Sequence, residues 1–186
     1  MNEQKRISDW LTLAWVESPA EPQFPKSDKL QLALRLILEE LFEAAESAPQ
    51  EELESFLNYT KSEVEEAFDK IRKNGGKKEG DLMELRDACA DMRVVMGNLI
   101  HFAGIKDQFN EDLKEVMDSN FSKFCTTEEE ADKSVKAYGK GNHPNKMGDV
   151  IECYHEKVGD YWIVKRKSDN KVLKSVDYVE PNFTKI

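Results

Sequence analysis

The 186-residue sequence lacks an apolar run long enough to cross a bilayer, and no stretch reads as a targeting segment, so no membrane partner is expected. Cysteine is scarce. Cys89, Cys125 and Cys153 form no metal-type spacing, and an odd count points to reduced thiols and a cytoplasmic location. Histidine is equally sparse: His101, His143 and His155 have no partners at ligand spacing. A carboxylate-bridged di-iron bundle needs Glu-x-x-His on two helices, and Glu152-Cys-Tyr-His155 lies in a predicted strand, where i and i+3 face opposite sides. Basic excess is missing too. With 27 Lys and Arg against 37 Asp and Glu, the formal net charge is −10, which argues against a nucleic-acid polymer or an anionic membrane as partner. A small anionic substrate remains open if a metal ion inverts the local field.

What is present is acid inside apolar helices. Residues 81–104 predict a helix that is hydrophobic over most of its circumference, from Leu82 and Met83 through Met92, Val94, Val95 and Met96 to Leu99 and Phe102. Asp87 and Asp91 sit within that apolar part, and Glu84 lies on the same face. A helix of this kind is normally buried, and an unpaired carboxylate taken out of water costs several kcal/mol, so the acids are expected in a core, held by partners or a metal. Residues 28–46 predict a second helix, with Leu30, Leu34, Ile37, Leu38, Leu41 and Phe42 at helical spacing. Its Glu39, Glu40 and Glu43 form Glu-Glu-x-x-Glu, so all three lean toward one side. If the two helices pack, an oxygen-only ligand set suited to Mg2+ or Mn2+ results. Glu39 and Glu40 taken alone are equally well read as a solvated surface.

The remainder reads as further helices and a β-type end. Residues 5–16 predict a short amphipathic helix, with Ile7, Trp10, Leu11, Leu13, Ala14 and Trp15 as its apolar part, and the proline-rich 18–26 an extended loop, with Ser27 or Asp28 as N-cap of the next helix. Trp15 and Phe24 are either packing residues or platforms for a base. Helices are predicted over 50–73 and 107–118, followed by Ser-Asn-Phe-Ser-Lys-Phe at 119–124. Residues 125–149 are polar and without sustained period, a loop with at most one turn of helix. Strands are predicted at 161–167 and 171–179 around a turn at 168–170, with a third at 150–155. The expected architecture is mainly α: a bundle of four to five helices over 1–124, a loop over 125–149, and a small β-hairpin appendage over 150–186.

Glu39-Glu40-Leu-Phe-Glu43, followed by Asp87-Ala-Cys-Ala-Asp91 and an apolar run containing Gly97, resembles the all-α nucleotide pyrophosphohydrolases of the MazG-like group. The Ser119–Phe124 element and the tail from Ser168 to Phe183 resemble segments of a phage and bacterial phosphoribosyl-ATP pyrophosphohydrolase-like subgroup. Two departures stand out. The wider family carries Glu-x-x-Asp as its second motif, but Ala88 precedes Asp91 by three, so Asp87 takes the place of that Glu. The 50–73 helix also lengthens the gap between the acid clusters beyond that of compact members.

The resemblance implies hydrolysis of a nucleoside triphosphate, with deoxynucleotides favoured, between the α and β phosphates to give the monophosphate and pyrophosphate. Mg2+ or Mn2+ would be held by Glu40, Glu43, Asp87 and Asp91, with Glu84 behind them, and Glu39 would act as base or water-orienting group. Asn120, Lys123 and Trp15 would hold phosphate or base. Asn120 and Lys123 also read as a helix C-terminal cap and a surface charge. The resemblance further implies a homodimer or homotetramer. Phosphoribosyl-ATP hydrolysis and a non-catalytic helical interaction protein are the alternatives.

Overall fold

The computed structural model describes residues 3–14 and 18–183. Among the described residues it is mainly helical with a small β appendage, as the sequence predicts, and comprises six helices and one two-stranded antiparallel hairpin near the C-terminus. Trp15 lies outside the described residues. The chain forms two compact units, Glu21–Arg93 on one hand and Met1–Ala20 with Val94–Ile186 on the other.

The Glu21–Arg93 unit holds α2 (Ser27–Glu46), α3 (Gln50–Asn74) and the first turns of α4 (Leu82–Phe102). Helix α2 starts directly after Lys26, whose carbonyl accepts from Lys29 N and Leu30 N at 3.0 and 2.9 Å. Lys26 rather than Ser27 or Asp28 is therefore the N-cap residue, and it makes no side-chain cap bond. Helices α2 and α3 pack as a helical hairpin, with Phe42 and Phe56 edge to face at 6.2 Å. The start of α4 is capped by Asp81, whose carboxylate accepts from Met83 N and Glu84 N at 3.0 and 3.1 Å. Those two bonds favour its charged form, and its carboxyl sits below the usual range, the Glu84 amide being the first cause. The Phe24 ring lies so close over Gly80 that a Cβ there would stand 2.4 Å from it.

The expectation of a buried acid helix fails within one chain. None of α2, α3 or α4 has a buried residue. Val94 is 66% exposed, Val95 63% and Leu99 58%, and Ile37 and Leu41 on α2 are nearly half exposed. An all-round apolar helix is buried only if something covers it, and here the chain supplies too little cover for Asp87 and Asp91 to lose solvent.

The other unit contains the core. It comprises α1 (Glu3–Ala14), α5 (Phe109–Phe121), α6 (Glu128–Gly139), β1 (Cys153–Val158) and β2 (Tyr161–Arg166), with the last turns of α4. Helix α5 runs past the predicted end and includes Asn120. Helix α6 replaces most of the predicted loop. Thr127 caps it, accepting from Glu130 N at 3.2 Å, and Glu130 reaches back to accept from Thr126 N at 2.8 Å, a variant of the capping box. Its inward stripe is Ala131, Ser134, Val135 and Tyr138, two of them polar or part-polar, which is why the apolar period is faint in the sequence.

The hairpin uses a different pair of segments from those predicted. Strand β1 pairs with β2 from Cys153↔Arg166 to Val158↔Tyr161 across a two-residue turn, Gly159-Asp160. Gly159 has φ +59, the positive value that the first central position of a type II′ turn requires. The predicted strand at 171–179 contributes a single bridge, Lys165↔Val172. Successive strand residues face opposite ways, and both Ile163 and Val164 are fully buried. Ile163 packs with Ala14 and Phe124, while Val164 packs with Cys125, Ala131, Tyr138 and Cys153. The hairpin is thus covered on both faces, which explains the unbroken Tyr-Trp-Ile-Val run.

Candidate functional site

Glu39, Glu40 and Glu43 stand on the exposed surface of α2 at the spacing the sequence predicts. Glu39 pairs with Arg35 one turn earlier at 3.3 Å, an exposed i,i+4 contact of small energetic weight. Asp87 and Asp91 lie exposed one turn apart on α4. Glu84 is bonded to Lys77, which also reaches Asp81 at 3.5 Å. Beside them Met83, Glu84, Arg86 and Asp87 line a shallow surface depression.

The donor chemistry is right for a hard divalent cation, since every candidate ligand is a carboxylate. The geometry of a single chain is not. Among the described residues no group of three or more acid, histidine or cysteine side chains stands close enough to hold a metal. The two acid pairs are therefore each presented on a helix surface rather than joined.

Asn120 and Lys123 are in a different setting. The Asn120 carboxamide oxygen accepts from Lys123 Nζ at 2.6 Å, and the Trp10 indole N–H donates to the Asn120 carbonyl at 2.9 Å. The Lys123 ammonium also lies 5.6 Å from the centre of the Trp10 ring, within cation–π range. Trp10 itself stacks on Phe124 at 5.9 Å, so the ring that holds the Asn120 backbone and lies beside the Lys123 ammonium is anchored in the core. The helical spacing that puts Trp10 on the apolar side of α1 carries no signal of these contacts, which join residues far apart in sequence. Near the other face of α5, Asp118 accepts from Arg6 and from Lys114, which together hold its carboxyl below the usual range.

Among the described residues no helix is long and apolar enough to cross a membrane. No protein-family profile and no curated protein matches the sequence. A search of solved structures finds the crystal structure of a "putative NTP pyrophosphohydrolase" from Exiguobacterium sp. 255-15, with a TM-score of 0.66 and 16% sequence identity. The match covers 97% of this chain and 89% of that one. At this identity the likeness establishes a shared fold, extending over the hairpin and tail as well as the helices.

Proposed function

We propose that the protein is a metal-dependent nucleoside triphosphate pyrophosphohydrolase that releases the monophosphate and pyrophosphate. The observation that carries this reading is a coincidence of independent signals. The Glu-Glu-x-x-Glu and Asp87/Asp91 clusters resemble the motifs of that enzyme group, and the fold is shared along nearly the whole chain with a protein described as one.

In this reading Glu40, Glu43, Asp87 and Asp91 hold Mg2+ or Mn2+, which when bound offsets the negative charge of the triphosphate. Glu39 accepts the proton of the attacking water as its oxygen bonds to the α-phosphorus. The bond to the α–β bridging oxygen breaks, and pyrophosphate leaves with the electron pair. Asn120 supplies amide hydrogen-bonding groups and Lys123 a point charge for phosphate or base.

A second copy of the chain belongs to the same proposal. The open faces of α2 and α4 leave roughly half of the ~1.5–3 kcal/mol per large apolar side chain unrealised. Covering them with the same helices of another copy would also gather acids that one chain keeps apart.

The test is pyrophosphate release from a panel of ribo- and deoxyribonucleoside triphosphates with Mg2+, with Mn2+ and with excess chelator. Metal-dependent release, with the monophosphate as co-product, is expected. Silence across the panel, together with no metal-induced shift in melting temperature, would leave a non-catalytic helical protein.

A further inference from the structure

The end of α5 is gripped by the C-terminal tail. The Ser122 hydroxyl has one proton, which it donates to the Ser119 carbonyl at 2.7 Å, while the same oxygen accepts from Val179 N at 3.0 Å. The Ser122 carbonyl accepts from Ser175 Oγ at 2.9 Å. One turn earlier, the Ser119 and Tyr178 hydroxyls bond at 3.0 Å. Ser175 is fully buried and Ser119 nearly so, so the bonds of these two hydroxyls are partly shielded from competing water, whereas the Val179 to Ser122 bond is exposed.

The tail is fixed on its far side as well. Tyr138 donates its hydroxyl to the Lys174 carbonyl at 3.1 Å, and Val176 N donates to the buried Ser134 Oγ at 3.0 Å. Residues 174–179 form no strand or helix of their own. The Lys174 carbonyl and the Val176 and Val179 amides are met by hydroxyls of Tyr138, Ser134 and Ser122, while the Asp177 and Tyr178 amides turn back onto Ser175.

Among the described residues, hydrogen bonds from the tail to the end of α5 fall on Ser119, which precedes Asn120, and on Ser122, which precedes Lys123. A helix that needed only to stop would be served by its terminal backbone bond, Ser122 N to Asp118 O at 3.0 Å. We propose that Ser175 and Tyr178 are positioning residues for nucleotide binding. By holding Ser119 and Ser122 they set where the Asn120 carboxamide and the Lys123 ammonium stand. The proposal rests on the reading of Asn120 and Lys123 given above, and it makes the tail part of the substrate site.

The experiment uses the full chain, Mg2+ and a non-hydrolysable α,β-methylene deoxynucleoside triphosphate, with Kd measured by calorimetry beside KM and kcat for the matching substrate. Tyr178→Phe removes one hydroxyl and keeps the ring, and Ser175→Ala removes the bond to Ser122. Each is expected to raise Kd and KM about fivefold, the weight of one buried hydrogen bond, with kcat within about twofold. Asp169→Ala is the control: it loses the Arg166 pairing at 2.6 Å, outside the grip on α5, and should lower Tm without moving Kd.

If Tyr178→Phe and Ser175→Ala behave like Asp169→Ala, with lower Tm and unchanged Kd, the tail is only structural and the inference is overturned while the pyrophosphohydrolase reading stands. Should Ser175→Ala fail to fold, Tyr178→Phe decides. If the unmodified chain neither binds the analogue nor releases pyrophosphate, the functional reading falls and the inference falls with it.

Discussion

His143 is fully buried, its ring stacked on Tyr138 at 3.9 Å between centroids, and its Nδ1 accepts from Asn145 N at 3.3 Å. Burial pushes the imidazole below its ordinary value, because a charged ring would lose its hydration there. The folded chain then binds fewer protons than the unfolded chain on the acid side. The contribution of His143 to stability is full above about pH 6.5 and is lost as pH falls through the depressed folded value. His143→Phe keeps a ring against Tyr138 and removes the titration. The drop in Tm between pH 7 and pH 5 should therefore be shallower in the variant, and identical slopes would remove His143 from the account. At the acid clusters the expected effects are on turnover instead. Asp91→Asn or Glu43→Gln should abolish pyrophosphate release and leave the Tm of the metal-free chain equal or higher, since like charges are relieved. Wild-type turnover in either variant would dismiss the metal assignment.

Among the elements, α6 shows how local chemistry can outweigh a weak hydrophobic period. Thr127→Ala should cost about 1 kcal/mol, typical of a lost N-cap, read as a lower midpoint in denaturant with unchanged slope. An unaffected midpoint would mean that packing alone holds the helix. The Thr-Glu-Glu-Glu signal was legible in the sequence, but Ser134 in the inward stripe hid the apolar repeat. The α-helices with strong periods, α2, α3 and α4, appear within a few residues of expectation because their spacing is intrinsic to the helix. The hairpin departs from the predicted register for a different reason. Cys153–Val158 and Lys171–Val179 both have strand-like composition, and only the Gly159-Asp160 turn, with its positive φ, selects the first as partner of Tyr161–Arg166. The two acid motifs could be read from residue type and spacing, whereas the contacts of Asn120 with Trp10 and of Ser122 with Ser175 join residues distant in sequence. No periodicity reports such pairs.

For the whole molecule, the contrast between the units is the main fact. The core lies among α1, α5, α6 and the hairpin, while α2 and α4 keep Ile37, Leu41, Val94, Val95 and Leu99 open. The protein is expected to run above its 21.4 kDa chain mass in light scattering. Val95→Glu should shift it toward that mass and depress turnover with it. A wild-type protein of single-chain mass at micromolar concentration would refute the second copy. The three thiols offer an independent view of the same event. Cys125 and Cys153 are buried, and burial pushes the Cys125 thiol up to about 12 and raises that of Cys153, so neither presents a thiolate near neutral pH. Cys89 is exposed on α4, between Asp87 and Asp91. Alkylation of the native protein should accordingly stop at one adduct, and the rate of that single labelling reaction becomes a clock for how long the acid-bearing helix stays uncovered.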